Sequence, residues 1–395
     1  MNKPISLHHV NLKTTRLAPI GAFLPNEAAS HRLTANKVDL VGANEPARTP
    51  RVAIVGTGLV GATTAHALLL SGLSAQIVLI NRDKERARGH VDDLRDAELF
   101  SHTSQIILGD YSDFCDCDIV VMTVGASQSS VHVSRLENLQ EAAAIFRTVI
   151  PQVAARNPSA ILLIASNPVD VLTYAAWKWS GFPVERVIGS GTSLDTSRLR
   201  RRLAEHYDVA SDNVHAYVVG EHGDSQVALL SSATIAGVPL AEFSRRREGP
   251  VSEAALAEMA KSARTGGLDI LRAKGATNYG IAAALVRIIR AILRNERAVL
   301  TVSGVVPRRM GLGELCLSLP TILDRRGIND VVAPTMDSDE NRALKRSAHI
   351  LKQQIASLSS VPPTMVAQAI SHMEVTNACN QTRAASCHLQ DDPPE

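Results

Sequence analysis

Residues 51–61 read RVAIVGTGLVG, a β-branched apolar run that leads into three closely spaced glycines. The run predicts a buried strand, and the apolar segment 62–71 predicts a helix packed behind it. In such a turn the first glycine permits the tight bend, the second lets the backbone approach a pyrophosphate, and the third lets helix and strand pack closely. The helix then presents its first N–H groups to the phosphates. We therefore predict a dinucleotide site formed by Gly56, Gly58, Val60 and Gly61.

Strands and helices alternate beyond this turn. Apolar runs at 76–80, 118–124 and 160–165 predict further buried strands, and residues 135–155 predict a helix between the last two. Near-continuous apolar strands that alternate with helices are typical of a parallel sheet covered on both faces. We expect an α/β fold with a doubly wound, Rossmann-type parallel sheet over residues 51–189.

The pattern becomes more helical after about residue 190 and changes again at both ends of the chain. An α+β catalytic domain is predicted over residues 190–359. Residues 1–50 show no sustained period and predict a loosely ordered N-terminal extension. Residues 360–395 have a paired proline, no apolar face and an acidic end, so we expect a disordered tail there.

Composition excludes several classes of function. The chain has 395 residues, 45% of them hydrophobic, and a formal net charge of +2, so no basic field indicates nucleic acid or an anionic membrane. No apolar run approaches the length of a membrane span. The five cysteines are odd in number and show no CxxC spacing, which argues against a disulfide framework or a metal site. We expect a protein of a reducing compartment, the cytoplasm.

The end of the second predicted strand reads LINRD, at the position where an acidic residue usually reads the adenosine ribose. Asn81 occupies that acidic position. Its amide can still hydrogen-bond ribose hydroxyls, but it does not repel a 2′-phosphate, and the neighbouring Arg82 could attract one. We expect NAD as the cofactor, with NADP left open by the Asn81–Arg82 pair.

Several further motifs follow in a fixed order. They are GASQ at 125–128, SNPVD at 166–170, GSGTSLDTSR at 189–198, GEHGDS at 220–225, KGATN at 274–278 and LCLSLP at 315–320. Together they resemble the lactate/malate dehydrogenase family, over about residues 51–358. The resemblance implies an NAD-binding Rossmann domain, a mixed catalytic domain and a homo-oligomer, usually a tetramer or a dimer, of which we expect the tetramer. It also implies that Gly125 and Ala126 contact the cofactor.

The resemblance assigns roles that the chemistry of these residues supports. Hydride transfer to a keto carbon needs a proton donor that works near neutral pH, and His222 fits this role. A buried carboxylate, implied to be Asp195, would hold one tautomer of the imidazole and stabilise its cation. Arg198, three residues later on the same helical face, would grip the substrate carboxylate with its planar fork.

Three further positions are implied to contact the ligands. Asn167, at the mouth of the strand 160–165, would touch both cofactor and substrate hydroxyl. Thr277 would line the substrate pocket, and Ile281 would pack near the nicotinamide. Each could instead be an ordinary turn or helix-start residue.

The loop between Gly125 and Arg135 departs from the family pattern. Arg135 and the leucine after it match the pair whose arginine polarises the substrate carbonyl, but the usual Gly-Glu before that pair is absent and the loop is one residue longer. Ala142 stands where the family usually has asparagine. Gln128 occupies the position that discriminates between substrates, where malate-type enzymes tend to have an arginine. A neutral side chain there would leave a second substrate carboxylate unpaired, which favours pyruvate over oxaloacetate.

These observations predict an oxidoreductase that reversibly reduces pyruvate to L-lactate, with a role in glycolysis or fermentation. A malate-type or 2-hydroxyisocaproate-type dehydrogenase stays open because of the altered loop. The third alternative is a dinucleotide-binding sensor that has lost activity. Retention of the histidine, its carboxylate, the substrate arginine and the asparagine argues against a sensor, which needs only the glycine loop.

A basic pair indicates a regulatory site. Bacterial lactate dehydrogenases that fructose 1,6-bisphosphate activates carry an arginine two residues after the carboxylate-binding arginine and a histidine seven residues before the catalytic one. Arg200 and His215 occupy these positions. We predict that a sugar bisphosphate could bind them at a subunit interface, against the alternative of an ordinary basic helix face.

Overall fold

The computed structural model describes residues 49–125, 135–247 and 251–360. The predictions for the extension and the tail therefore fall on residues that lie almost wholly outside the described ones. Ala126 and Gln128 lie outside them as well. Arg135 begins a helix, but its side chain is not among those described.

The described residues form twelve strands and nine α-helices, joined by loops and short 3₁₀ turns. In chain order they are β1 (Arg51–Val55), α1 (Leu59–Ser71), β2 (Gln76–Ile80), α2 (Lys84–Glu98), β3 (Gln105–Leu108), β4 (Ile119–Met122), α3 (Arg135–Arg156), β5 (Ile161–Ile164), α4 (Val169–Ser180), β6 (Val187–Gly189), α5 (Ser193–Tyr207), β7 (Val214–Val219), β8 (Val227–Ile235), β9 (Val238–Pro239), α6 (Leu240–Arg247), α7 (Glu253–Lys274), α8 (Tyr279–Leu293), β10 (Ala298–Val305), β11 (Cys316–Asp324), β12 (Gly327–Val331) and α9 (Ser338–Ala356).

The central sheet has the order β12-β11-β10-β6-β5-β4-β1-β2-β3, and its six strands from β6 to β3 run parallel. From β1 the chain moves outward through β2 and β3, then returns to β4 on the other side of β1. The order therefore reverses between β1 and β4. Ligands of doubly wound sheets bind outside the carboxyl ends of the strands at such a reversal. The predicted α/β fold with a Rossmann-type parallel sheet is confirmed.

Both faces of this sheet are covered. Val52 and Ile54 of β1 point to a core that they share with Leu68 of α1 and Leu285 of α8. The alternate β1 residues point to the opposite core, which includes side chains of α3, α4 and α9. Burial of each large apolar side chain stabilises the fold by about 1.5–3 kcal/mol. Burial on both faces explains why these strands read as continuous apolar runs rather than as alternating ones.

The late strands extend the same sheet. β10 runs antiparallel to β6, with Ser303 opposite Gly189, and β11 and β12 follow at the edge. Strands β7, β8 and β9 form a separate three-stranded sheet. This small sheet shares a third core with α5, which contributes Leu199, Leu203 and Tyr207. The sheets bring α5 and the segment after β7 to the carboxyl ends of the parallel strands.

Candidate active site

The glycine turn is built as the sequence predicts. Gly56 has a φ of +98°, in the region that favours glycine. A Cβ atom on Gly61 would lie 1.9 Å from the carbonyl oxygen of Gly56, so only glycine lets α1 start this close to β1. At Gly58 a Cβ would meet nothing within 4 Å, which leaves the backbone there open to a ligand. Thr123, after β4, donates a hydrogen bond to the Gly56 carbonyl at 2.7 Å, and this bond joins the turn to the strand-order reversal.

Asn81 lies beside this turn at the end of β2. Its Nδ2 donates to the hydroxyl oxygen of Thr57 at 2.5 Å, so the amide is held against the glycine loop. The next residue, Arg82, is exposed. A polar side chain and an exposed cation thus stand where the adenosine ribose of a dinucleotide binds in such folds.

A second group of predicted residues meets at the loop after β7. His222 Nδ1 lies 2.6 Å from Asp195 Oδ2, and Arg198 Nη1 donates to Asp195 Oδ1 at 2.9 Å. Asp195 is 1% exposed, whereas the side chain of His222 retains 29% exposure. Since Nδ1 faces the carboxylate, Nε2 is the ring nitrogen left for a ligand.

The charges around the imidazole set its proton affinity. Burial by itself would lower the pKa of His222. The hydrogen bond to Asp195 and the negative charges of Asp195 and Asp170 act in the opposite direction and prevail, so the pKa is raised above its usual range. The positive charge of Arg198 offsets part of this effect. The arrangement therefore favours the protonated histidine that a proton donor requires.

Three successive backbone N–H groups hold the histidine loop, and each is bound by a different element. Gly220 donates to the Ser318 carbonyl of β11 at 2.9 Å. The next N–H, of Glu221, donates to Ser347 Oγ of α9 at 2.8 Å. The N–H of His222 donates to Asp170 Oδ2 of α4 at 2.7 Å. The sequence assigns no role to Asp170, although it lies in the SNPVD motif, and offers no signal for Ser347. The contact of Asp170 with His222 spans 52 residues of chain, and that of Ser347 with Glu221 spans 126.

Glu221 strengthens the attachment to α9. Its carboxylate accepts hydrogen bonds from the hydroxyl of Ser225 and, at 3.0 Å, from Nε2 of Gln354. A Cβ on Gly220, whose φ is +89°, would lie 2.7 Å from Ser347 Oγ. The first glycine of the GEHGDS motif thus allows the loop to press against α9.

The other implied ligand contacts are distributed around the same edge. Asn167 is exposed after β5, and the structure gives its side-chain amide no partner among the described residues. Ile281 is half-buried and shares an apolar cluster with Val60 of the glycine turn. Thr277 lies in the turn before α8, whose start packs on Leu194, the neighbour of Asp195. Gly125 is the last described residue before the loop that leads to Arg135, and it is exposed.

Arg200, one of the two residues predicted to bind an effector, contacts the strand β7, which carries the other. Arg200 Nε donates to the carbonyl of Ala216 at 3.1 Å, and its guanidinium lies 5.4 Å from the ring of Tyr217. His215, the residue before Ala216, is exposed. Two further arginines of α5 pair with Glu205: Arg201 at 2.6 Å and Arg202 at 3.3 Å.

The described residues contain neither a metal-binding cluster nor a membrane-spanning helix. Within 49–125, 135–247 and 251–360 no group of three or more histidine, cysteine, aspartate or glutamate side chains could hold a metal ion. Over the same ranges, every helix is too short or too polar to cross a membrane.

Comparison with known proteins agrees with the geometry. Residues 50–189 match the family model of the lactate/malate dehydrogenase NAD binding domain, and residues 192–361 match that of the lactate/malate dehydrogenase alpha/beta C-terminal domain. An L-lactate dehydrogenase of Clostridium perfringens is 40% identical over 78% of this chain and 97% of its own length. One of Thermus aquaticus is 43% identical over 78% of this chain and 99% of its own.

Solved structures give the same result. A lactate dehydrogenase from a Medee basin deep-sea metagenome library has a TM-score of 0.75 and 37% identity, over 79% of this chain and 99% of that one. The minor L-lactate dehydrogenase of Enterococcus mundtii, solved in a ligand-bound form, has a TM-score of 0.75 and 34% identity, over 80% of this chain and 99% of that one.

A glycine turn at the strand-order reversal and a histidine paired with a buried carboxylate define an NAD-dependent 2-hydroxy acid dehydrogenase. The chain belongs to the lactate/malate dehydrogenase family.

Proposed function

We propose that the protein is an L-lactate dehydrogenase, which reversibly reduces pyruvate to L-lactate. The observation that carries the proposal is the contact of His222 with the buried carboxylate of Asp195, next to Arg198. The family match and the relatives named L-lactate dehydrogenase support it.

The cofactor fits the glycine turn. The close approach of Gly61 to Gly56 opens the start of α1 toward a pyrophosphate, and Val60 with Ile281 offers an apolar surface for a ring. Bound NADH supplies the hydride that reduces the keto carbon. NAD is preferred over NADP in this proposal, although Asn81 lacks the negative charge that usually excludes the 2′-phosphate.

The protein's own residues handle the proton and the carboxylate. His222 donates the proton from Nε2 to the substrate oxygen, and Asp195 stabilises the imidazolium through Nδ1 until the transfer. One nitrogen of Arg198 is engaged with Asp195, and the rest of the guanidinium faces Gly266 and Gly267 of α7, where side chains are absent. Both glycines lie within van der Waals reach of the Arg198 side chain, so α7 packs against it, and the guanidinium nitrogens not engaged with Asp195 are left for a substrate carboxylate.

Four residues are assigned to the substrate pocket, and two of them, Arg135 and Gln128, lie outside the described side chains. In this proposal Arg135 has the role of polarising the carbonyl oxygen, and Gln128 that of discriminating between substrates. Asn167 binds the substrate oxygen, and Thr277 completes the pocket. Because Gln128 carries no charge, a dicarboxylate would lose the hydration of its second carboxylate without gaining a partner.

The proposal also covers the oligomeric state, the compartment and the effector of the enzyme. The protein acts as a cytoplasmic homotetramer in glycolysis or fermentation. A sugar bisphosphate such as fructose 1,6-bisphosphate binds at Arg200 and His215 and favours the active assembly by differential affinity.

A spectrophotometric assay of NADH oxidation tests the function. Pyruvate, oxaloacetate and 2-oxo-isocaproate should be compared at equal concentration, and pyruvate should give the highest kcat/KM. The control is His222→Ala, which should keep NADH affinity while turnover falls about 10²–10⁴-fold, the effect typical of a lost acid/base group. Preference for another 2-oxo acid would replace the proposed substrate, and turnover like that of the unmodified enzyme in the variant would remove His222 from the mechanism.

A further inference from the structure

The loop that carries His222 is held by one charged side chain. Of its three backbone anchors, the Ser318 carbonyl and the Ser347 hydroxyl are neutral, whereas Asp170 is a carboxylate. Asp170 is the second residue of α4 and is 2% exposed. A buried carboxylate costs free energy unless it is hydrogen-bonded and paired, so the Asp170 carboxylate requires a partner that offsets this cost.

His222 is that partner. Among the described residues no lysine or arginine forms an ion pair with Asp170, and the cationic group that lowers its pKa is the histidine itself. Asp170 Oδ2 accepts the N–H of His222 at 2.7 Å, and Ser318 Oγ lies 3.5 Å from Oδ1. Both neighbours are able to donate hydrogen bonds, which favours the ionised carboxylate.

The groups around the pair come from α5, the histidine loop and β11. Asp195 and Arg198 face the imidazole from α5, and Glu221 lies beside it on the same loop. Cys316 of β11 is fully buried near Asp170, and burial together with that carboxylate raises the pKa of its thiol well above its usual range, so it stays neutral. The imidazole is thus influenced by two buried carboxylates, one at Nδ1 and one at its own backbone N–H.

We propose that Asp170 is a positioning residue of the reaction, which fixes the backbone of His222 and keeps its imidazole protonated through a second buried negative charge. The inference rests on the proposed dehydrogenase function and extends it. Burial raises the pKa of Asp170 to about 6, so its charge is present at neutral pH and is lost as the pH falls through that value. The carboxylate therefore supports the proton donor in the pH range where pyruvate is reduced.

The sign of the effect can be stated for both directions of the reaction. Pyruvate reduction needs protonated His222, so kcat/KM for pyruvate falls as the pH rises through the pKa of the histidine. Lactate oxidation needs the neutral imidazole, so kcat/KM for lactate rises through the same pKa. Removing the charge of Asp170 lowers that pKa and moves both midpoints to lower pH. Structural damage alone would lower both plateaus and leave the midpoints in place.

The experiment compares Asp170→Asn with Ser347→Ala in the full chain. The asparagine keeps an oxygen that can accept the His222 N–H but carries no charge. The alanine removes the neutral anchor one residue earlier and leaves all charges unchanged. Profiles of kcat/KM against pH should be recorded with pyruvate and NADH and, separately, with lactate and NAD. Thermal unfolding and NADH binding show whether each variant is folded.

We expect Asp170→Asn to move both midpoints down by about 0.5 to 1 pH unit, less than the shift typical of directly paired groups, because Asp170 contacts the main chain of His222. Ser347→Ala should lower the plateaus without a shift. Unmoved midpoints in Asp170→Asn, or opposite movements in the two directions, would overturn the inference. If Asp170→Asn does not fold, Asp170→Ser, which also offers an oxygen to the N–H, is measured in its place. Failure of the unmodified enzyme to reduce pyruvate would instead overturn the proposed function.

Discussion

His222 Nδ1 and Asp195 Oδ2 lie 2.6 Å apart, on two segments that are separated by 27 residues. Asp195 is buried at the start of α5, and the same carboxylate binds Arg198 through its other oxygen. One side chain therefore orients both the proposed proton donor and the proposed substrate anchor. This sharing makes Asp195 the residue whose loss should affect chemistry and substrate binding together.

We expect Asp195→Asn to lower kcat for pyruvate reduction by about 10²–10⁴-fold, because the amide neither stabilises the imidazolium nor enforces its tautomer. The pKa of His222 should fall as well, since Asp195 is the main group that raises it. Activity at alkaline pH should suffer most. Steady-state kinetics from about pH 6 to 9 and NADH titration measure these effects, and Glu205→Gln, at an exposed carboxylate of the same helix, is the control. An unchanged kcat would rule out the proposed pair.

Gly61→Ala and Gly58→Ala should separate packing from cofactor binding. A methyl group at Gly61 would collide with the Gly56 carbonyl, and we expect a loss of about 1–3 kcal/mol of unfolding free energy together with weaker NADH binding. At Gly58 the methyl meets no protein atom within 4 Å, so the free energy of unfolding should be unchanged. The methyl should instead keep the pyrophosphate away from the backbone and weaken NADH binding. Denaturant unfolding and NADH fluorescence distinguish these outcomes. Equal stability of the two variants would contradict the packing argument.

Asn81→Asp should raise the preference for NADH over NADPH. The local structure can accept the change, because the Thr57 hydroxyl that now accepts from Asn81 can donate to a carboxylate instead. The new charge repels a 2′-phosphate and accepts from ribose hydroxyls. The ratio of kcat/KM for the two cofactors is the measurement, with Arg82→Gln as a companion that removes the exposed cation. If neither variant changes this ratio, the two residues do not reach the adenosine ribose.

Fructose 1,6-bisphosphate should lower the apparent KM for pyruvate and shift sedimentation toward the larger assembly. Arg200→Gln should abolish both effects, because it removes the cation that contacts the backbone of Ala216, the residue after His215. Arg201→Gln is the matched control, since that arginine is already paired with Glu205 and should leave the response intact. A loss of response in both variants would indicate general damage to α5, and no response of the unmodified enzyme would exclude the effector.

The elements that the sequence predicted well are those with long or continuous apolar segments. The strand expected at 51–55 is β1, the helix expected at 135–155 is α3 (Arg135–Arg156), and the strand expected at 160–165 contains β5. Mostly polar or short segments were missed. β3 has only four residues, of which one is exposed, and α2 is mostly polar, with Ala87, Val91 and Leu94 as its buried residues, so both give a weak apolar signal.

The sequence by itself determined the class of fold and the chemistry available. Residues 51–61 specify a strand, a glycine turn and a helix through local sterics, and the ordered motifs bring the histidine, carboxylate and arginine types that hydride transfer to a keto acid requires. Only the tertiary structure decided which groups surround the histidine. Asp170, Ser318 and Ser347 reach its loop from α4, β11 and α9 through hydrogen bonds between distant segments. Such contacts depend on how the sheet and helices pack, and no local period in the chain encodes them.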